Sequence, residues 1–154
     1  MSYPAPERVY LAAKFSRQDE MRNIAGQLRD NGFLCDPAWL GEAHDLPVDA
    51  APDDPRGSKF AADDWHDLRQ ADTVICFTEK PGDITGRGRG GRHVEMGLAL
   101  AWEKRVLVVG YRENVFCWLP QVDFFSSWRE CQAALLGMEC AEPDSLESLG
   151  VAVL

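Results

Sequence analysis

The sequence predicts an α/β domain with a mostly parallel, doubly wound sheet of about five strands. Two observations lead there. Short apolar runs alternate along the chain with segments of helical periodicity, and one run, "DTVICF" (72–77), is continuously apolar, as a strand buried on both faces is. Alternating strands and helices imply right-handed βαβ units, and hence a parallel sheet.

The elements follow in order. "RVYLAAKF" (8–15) reads as a buried first strand. "SRQDEMRNIAGQLRDNG" (16–32) reads as a helix with Ser16 as its cap and Asn31-Gly32 as its end. "FLCD" (33–36) is a short second strand, and residues 37–57, rich in Pro, Asp and Gly, form a long loop of the kind that is functional or mobile. "SKFAADDWHDLRQA" (58–71) is a second helix, capped by Ser58, before the central strand 72–77. A Gly-rich loop (78–90) leads into a third helix, "GRHVEMGLALAWEK" (91–104). "RVLVVG" (105–110), a short helical turn in "ENVFCWLP", the strand "VDFF" and the helix "SSWRECQAALLG" (126–137) complete the domain. Residues 1–137 are thus one domain, and 138–154, acidic and weakly patterned, a tail or dimer arm.

Composition narrows the function. The chain has 154 residues, 45% of them hydrophobic, which suits one domain with a real core. A net charge of −9 argues against a nucleic-acid polymer as partner, because phosphate neutralisation needs a basic surface. A small anionic ligand stays open, since Arg87, Arg89 and Arg92 cluster. The five cysteines are odd in number and show no CxxC spacing, so buried reduced thiols are expected. With no apolar leader and no run of membrane-spanning length, the expected location is the cytoplasm, with no membrane partner. No His/Cys/Asp set has metal spacing, so neither metal nor cofactor is expected.

In a doubly wound sheet, ligands bind beyond the C-terminal strand ends. That selects 12–16, 78–93 and 110–116. In the second lies "GRGRGGRHVEMGLALAWEKRV" (86–106), where Glu95 follows a double glycine at the start of a helix. Val94, Leu98 and Ala101 read as that helix's core stripe, with Glu95 flanking it. Glu95 is then either an ordinary charge near a helix N-terminus or a carboxylate nucleophile able to attack a sugar anomeric carbon. The loop is no Walker A, and it follows the wrong strand for a dinucleotide fingerprint. It is either a phosphate or sugar cradle or a solvated basic rim. His93 is an acid/base, a phosphate contact or a structural histidine; His44 and His66 read as exposed. Of Asp63, Asp64 and Asp67, one points at a base or all form a solvated face. Phe15 is core or a base-stacking ring. Trp39 and Trp65 carry the same choice, with core the simpler.

"VYLAAKF", "DDWHDLRQADTVICF" and above all "VEMGLALAWEKRV" resemble the nucleoside 2-deoxyribosyltransferase family, over residues 8–137. The superfamily also holds nucleoside-monophosphate N-glycosidases. The resemblance implies a flavodoxin-like domain that cleaves an N-glycosidic bond. It implies that Glu95 attacks C1′ and that Asp64 protonates the leaving base. It places Phe15 near the base and Tyr10 near the nucleophile. It implies that Asn114, with Phe116 beside it, reaches the sugar 5′ end in a neighbouring subunit, which makes the protein a homo-oligomer, at least a dimer. Transferases of the family carry an acidic residue six positions before the nucleophile; here it is Arg89. That departure favours a substrate with a 5′-phosphate, met by Arg89, Arg92, His93 and the N–H groups of Gly90 and Gly91. Transfer of deoxyribose between bases is the first reading, hydrolysis of a nucleoside 5′-monophosphate the second, and a non-catalytic SLOG- or TIR-like nucleotide sensor the third.

Overall fold

The computed structural model describes residues 2–82 and 90–138. Arg87, Arg89, Cys140 and the 139–154 tail lie outside them. Four strands, β1 (Val9–Ala12), β2 (Thr73–Phe77), β3 (Arg105–Val109) and β4 (Val122–Phe125), form one sheet in the order β1-β2-β3-β4, every pair parallel. The helices are α1 (Gln18–Asp30), α2 (Pro55–Gln70), α3 (Gly91–Ala101) and α4 (Trp128–Leu136).

The sheet has four strands, not about five. The expected strand at 33–36 shrinks to a single parallel bridge between Leu34 and Arg8. The physical reason is room. Gly32 (φ +88°) ends the turn after α1, and Pro37, which has no N–H to donate, follows almost at once. The bridge still lies on the edge of β1 opposite β2, since Val9 N–H donates to Leu34 O at 2.8 Å. The chain therefore steps off β1 in one direction, to Leu34, and then in the other, to β2. The C-terminal end of β1 is the topological switch point, where such sheets leave a crevice.

β1 and β2 are buried throughout. α1 and α4 share one side of the sheet, where Trp128 Nε1 donates to Gln27 Oε1 at 2.9 Å. α2 and α3 meet through Trp65 and Trp102, edge to face with centroids 4.9 Å apart. Each fully buried Val, Leu or Ile of the strands contributes roughly 1.5–3 kcal/mol. An exposed pair such as Arg22–Asp19 contributes about 0–1 kcal/mol, so the sheet core holds the fold.

Local chemistry moves several boundaries. α2 starts at Pro55, earlier than expected, because Asp54 accepts from Arg56 N–H at 2.9 Å and Pro suits the first helical position better than Ser58 suits a cap. Ser16 caps nothing: Phe15–Arg17 form a 3₁₀ turn that leads into α1. α3 stops at Ala101, short of Lys104. Glu103 takes a left-handed conformation (φ +56°), and the N–H groups of Glu103 and Lys104 close back on Leu100 O and Ala99 O, a Schellman closure. Cys35, Cys76, Cys117 and Cys131 are buried free thiols. Burial pushes the thiols of Cys35 and Cys131 up to about 12, so they serve as small hydrophobes. No helix of the described residues is long and apolar enough to cross a membrane.

Candidate active site

The crevice at the switch point is a cavity of about 410 Å³. Its walls come from the turn after β1 (Ala13–Ser16), the 37–57 loop (Trp39, Glu42, Asp45), α2 (Phe60, Asp64) and the start of α3 (Gly90–Arg92, Glu95). Two of the three strand ends selected from sequence, 12–16 and 78–93, thus contribute.

α3 is turned differently from the expected stripe. Val94 is 63% exposed and Ala101 is exposed, whereas Met96 and Ala99 are buried. The inward face runs through Arg92, Met96 and Ala99, which carries Glu95 into the cavity. Gly90 opens the helix at φ +82°, a left-handed backbone that glycine adopts without a Cβ clash. Glu95 is the fifth residue of the helix, beyond the first turn where the helix dipole acts. Its charge is set by neighbours instead. Tyr10, fully buried on β1, donates its hydroxyl to Glu95 Oε1 at 2.8 Å.

The same tyrosine hydroxyl favours the ionised form of Asp64. α2 offers three aspartates, and the other two have duties elsewhere: Asp63 pairs with Lys59 at 2.5 Å, and Asp67 Oδ2 accepts from Ala38 N–H at 2.7 Å. Asp64 alone lines the cavity, and its buried Oδ1 has no partner. Burial lifts its pKa to about 6, with the negative charge of Glu42 as the next cause. Burial likewise lifts Glu95 to about 7, while the Tyr10 hydrogen bond and the charge of Arg92 pull it down. Desolvation acts on both groups alike. The Tyr10 hydroxyl favours the ionised form of both, and the charge of Asp64 raises Glu95; what differs is a cation, Arg92, that favours ionised Glu95, and the charges of Glu42, Asp67 and Asp63, which favour protonated Asp64. In two interacting carboxyls these values belong to the pair, and we place the shared proton on Asp64 for that reason.

Behind the cavity an ion network joins the strand ends. Glu79, just past β2, meets Lys14 at 3.4 Å and Arg17 at 3.2 Å. Glu113, past β3, accepts from Glu79 N–H at 2.7 Å and from Arg92. Gly110 (φ +116°) makes the neighbouring turn possible, since a Cβ there would lie 3.0 Å from Thr78 Oγ1. Arg92 Nε is buried without a partner at the cavity wall.

Sequence reasoning missed Glu42, Lys14, Glu79 and Glu113. Glu42 lies in the long loop with nothing in its local pattern to mark it. It is held by Gln18, a buried side chain whose Nε2 donates to Trp39 O at 2.6 Å and Glu42 O at 2.9 Å. The other three fall in or beside the strand-end segments already selected. Phe15 and Trp39, with ring centroids 6.3 Å apart, both line the cavity; Trp39 is also core, its Nε1 donating to Leu11 O. Trp65 is 54% exposed and is not core. His44 and His66 are exposed as expected.

His93, Asn114 and Phe116 do not join the cavity. They line a second, more apolar groove on the opposite flank of α3, with Met96, Gly97 and Leu100. Asn114 Nδ2 lies 3.4 Å from His93 Nδ1, and its Oδ1 accepts from Phe116 N–H. Gly90, Gly91 and Arg92 line the cavity; Arg89 lies outside the described residues. No group of three His, Cys, Asp or Glu able to hold a metal occurs among the described residues.

Fold and site define a flavodoxin-like α/β domain with a carboxyl-lined cavity at its switch point. The same fold occurs in a 2-deoxyribosyltransferase from Bacillus psychrosaccharolyticus, at TM-score 0.59 and 18% identity over 88% of this chain and 99% of that one. It also occurs in the CMP N-glycosidase BcmB from Clostridium botulinum, at TM-score 0.53 and 21% identity over 84% and 97%. At these identities the likeness is one of fold. No protein-family model and no characterised protein sequence matches the chain.

Proposed function

We propose that the protein cleaves the N-glycosidic bond of a (deoxy)nucleoside through Glu95 and passes the deoxyribosyl group to another nucleobase. The observation that carries this is the placement of Glu95 and Asp64 in one cavity, with the Tyr10 hydroxyl donating to Glu95. The Glu95 carboxylate forms an ester bond to C1′ as the C1′–N bond breaks. The bonding pair leaves with the base, which takes the Asp64 proton. An incoming base then attacks C1′, gives its proton to Asp64 and frees Glu95. The names of the two structural neighbours, a deoxyribosyltransferase and an N-glycosidase, support this bond type.

A second reading, hydrolysis of a nucleoside 5′-monophosphate, draws on the opposite chemistry of the same cavity. Lys14, Arg92 and the N-terminus of α3 at Gly91 line it, and Arg92 Nε has no partner. In this reading water replaces the incoming base. The test is incubation with a deoxynucleoside and with its 5′-monophosphate, each with and without an acceptor base. A new nucleoside only when acceptor is present supports transfer. Free sugar phosphate in its absence supports hydrolysis. Binding without any turnover is the nucleotide-sensor outcome and refutes both.

Arg92→Ala separates the two further. A charge-assisted hydrogen bond contributes roughly 1.5–3 kcal/mol, so loss of a phosphate contact costs about 10- to 150-fold. The variant also alters Glu95, but equally for both substrates. If Arg92 holds phosphate, kcat/KM on the nucleotide falls by that extra factor relative to the nucleoside. An unchanged ratio leaves the phosphate site without support.

The second groove completes the proposal. Phe116, which lines it, and Val94, Val115 and Trp118, near it in sequence, are each more than half exposed, apolar surface suited to a second copy. We expect at least a dimer by light scattering at assay concentration. A fully active monomer refutes a role for Asn114 and Phe116 in a neighbour's site.

A further inference from the structure

Glu42 is a cavity carboxyl that the reaction above does not use. It and Asp64 line the same cavity, each with a buried oxygen that no protein group satisfies. Two such oxygens in one partly dry cavity ask for a ligand that supplies both a donor and an acceptor. Two carboxylates cannot both stay charged there cheaply, so one holds a proton. Burial, and then the charge of Asp63, raises the Glu42 carboxyl, with Lys59 opposing; burial, and then the charge of Glu42, raises Asp64 to about 6, so Asp64 is the one that holds the proton.

We propose that Glu42 is a base-specificity residue: Glu42 accepts from an exocyclic amino group while Asp64 donates to the adjacent ring nitrogen, so the site selects amino bases over their keto counterparts. Cytosine and adenine present this edge, a ring nitrogen with a lone pair next to an –NH₂. Uracil and hypoxanthine present a carbonyl where the amino group was, and a protonated ring nitrogen beside it. An ionised Glu42 then faces a carbonyl oxygen and is left buried without a donor. Phe15, Trp39 and Phe60 supply the apolar walls against which a flat base packs. The same pairing serves the reaction, because the nitrogen that Asp64 addresses is one whose protonation makes the base a better leaving group.

This inference rests on the N-glycosidic reading, so its test is made by binding as well as turnover. The Glu95→Ala protein, checked for a cooperative thermal transition, is titrated calorimetrically with deoxycytidine against deoxyuridine and deoxyadenosine against deoxyinosine, and with their 5′-monophosphates. At least one amino member is expected to bind on the order of a hundredfold tighter than its keto partner, the scale set by leaving a buried charged group unpaired. Adding Glu42→Gln, whose amide offers both donor and acceptor, should collapse that preference to within a few-fold while the protein stays folded. Preference in binding without cleavage by the wild-type protein would sink the glycosidase reading and keep the base-recognition site. Equal affinities within both pairs, a preference unaltered by Glu42→Gln, or no binding of any of these compounds would overturn the assignment of Glu42.

Discussion

Replacing Glu95 by alanine is expected to remove turnover, by on the order of 10⁴-fold or more, because the carboxylate proposed to form the C1′ ester is gone. The fold should survive, since Glu95 faces the cavity and the core beneath it is Met96 and Ala99. A glutamine at 95 makes a sharper statement. The folded-state pKa of Glu95 is raised, from an ordinary 4.5 to about 7, chiefly by burial. A raised carboxyl binds more protons in the folded chain than in the unfolded one between those two values. The contribution of Glu95 to stability is therefore greatest below pH 4.5 and falls as pH rises toward 7. Above pH 7 the folded protein carries a buried negative charge that costs roughly 1–3 kcal/mol. Glu95→Gln removes that charge and should raise the thermal midpoint by several degrees at pH 8, with little gain at pH 4.5. An inactive but stabilised variant is the signature of a group kept for chemistry at the expense of stability. Wild-type rates in Glu95→Ala would sink the glycosyl-enzyme intermediate. A lost thermal transition in Glu95→Gln would make Glu95 structural.

The legible parts of this molecule are those whose physics is local. Continuous apolar runs mark β2 and β3 because both faces of a central parallel strand are buried, and turn glycines mark where α1 and α4 stop. The apolar residues of 33–36 look like a strand, whereas pairing depends on how soon Gly32 and Pro37 redirect the chain. The rotation of α3 differs from its sequence pattern for a related reason. Val94, Leu98 and Ala101 are spaced as a core stripe, but the burial of Met96 and Ala99 is decided by the sheet below. Val94 faces out. Glu95 and Asp64 line one cavity. Glu42 illustrates what a sequence hides: it reaches the cavity through Gln18, 24 residues away, whose buried amide holds the loop by its backbone. Such a contact leaves no periodicity behind.

Asp64→Asn should lower cleavage by roughly 10²- to 10⁴-fold, the usual contribution of a positioned general acid, while ligand affinity changes only a few-fold. Asparagine keeps the shape and can still hydrogen-bond, but it has no proton to give. The pH profile carries the same assignment. Asp64 is faced by Glu42, Asp63 and Asp67 and by the Tyr10 hydroxyl, with a pKa raised to about 6; Glu95 ionises near 7 in the empty site. Wild-type kcat/KM should form a narrow bell centred near pH 6–7. Its acid limb reflects loss of the ionised nucleophile and its alkaline limb loss of the proton on the acid. In Asp64→Asn the alkaline limb should flatten, because no acid remains to be deprotonated. A substrate whose base already carries a fixed positive charge, such as a 7-methylguanine deoxynucleoside, needs no proton to depart. On it the variant should approach the wild-type kcat, and the wild type should lose its alkaline limb. A penalty of equal size on charged and neutral bases would mean that Asp64 positions the substrate and does not protonate it. An unchanged rate on a neutral base would move the acid role elsewhere. Asp63 is a poor replacement because Lys59 holds its charge, and Asp67 is tied to Ala38 N–H. Glu42 would then be the next carboxyl to test, since it alone shares the cavity wall with an unpartnered oxygen of its own.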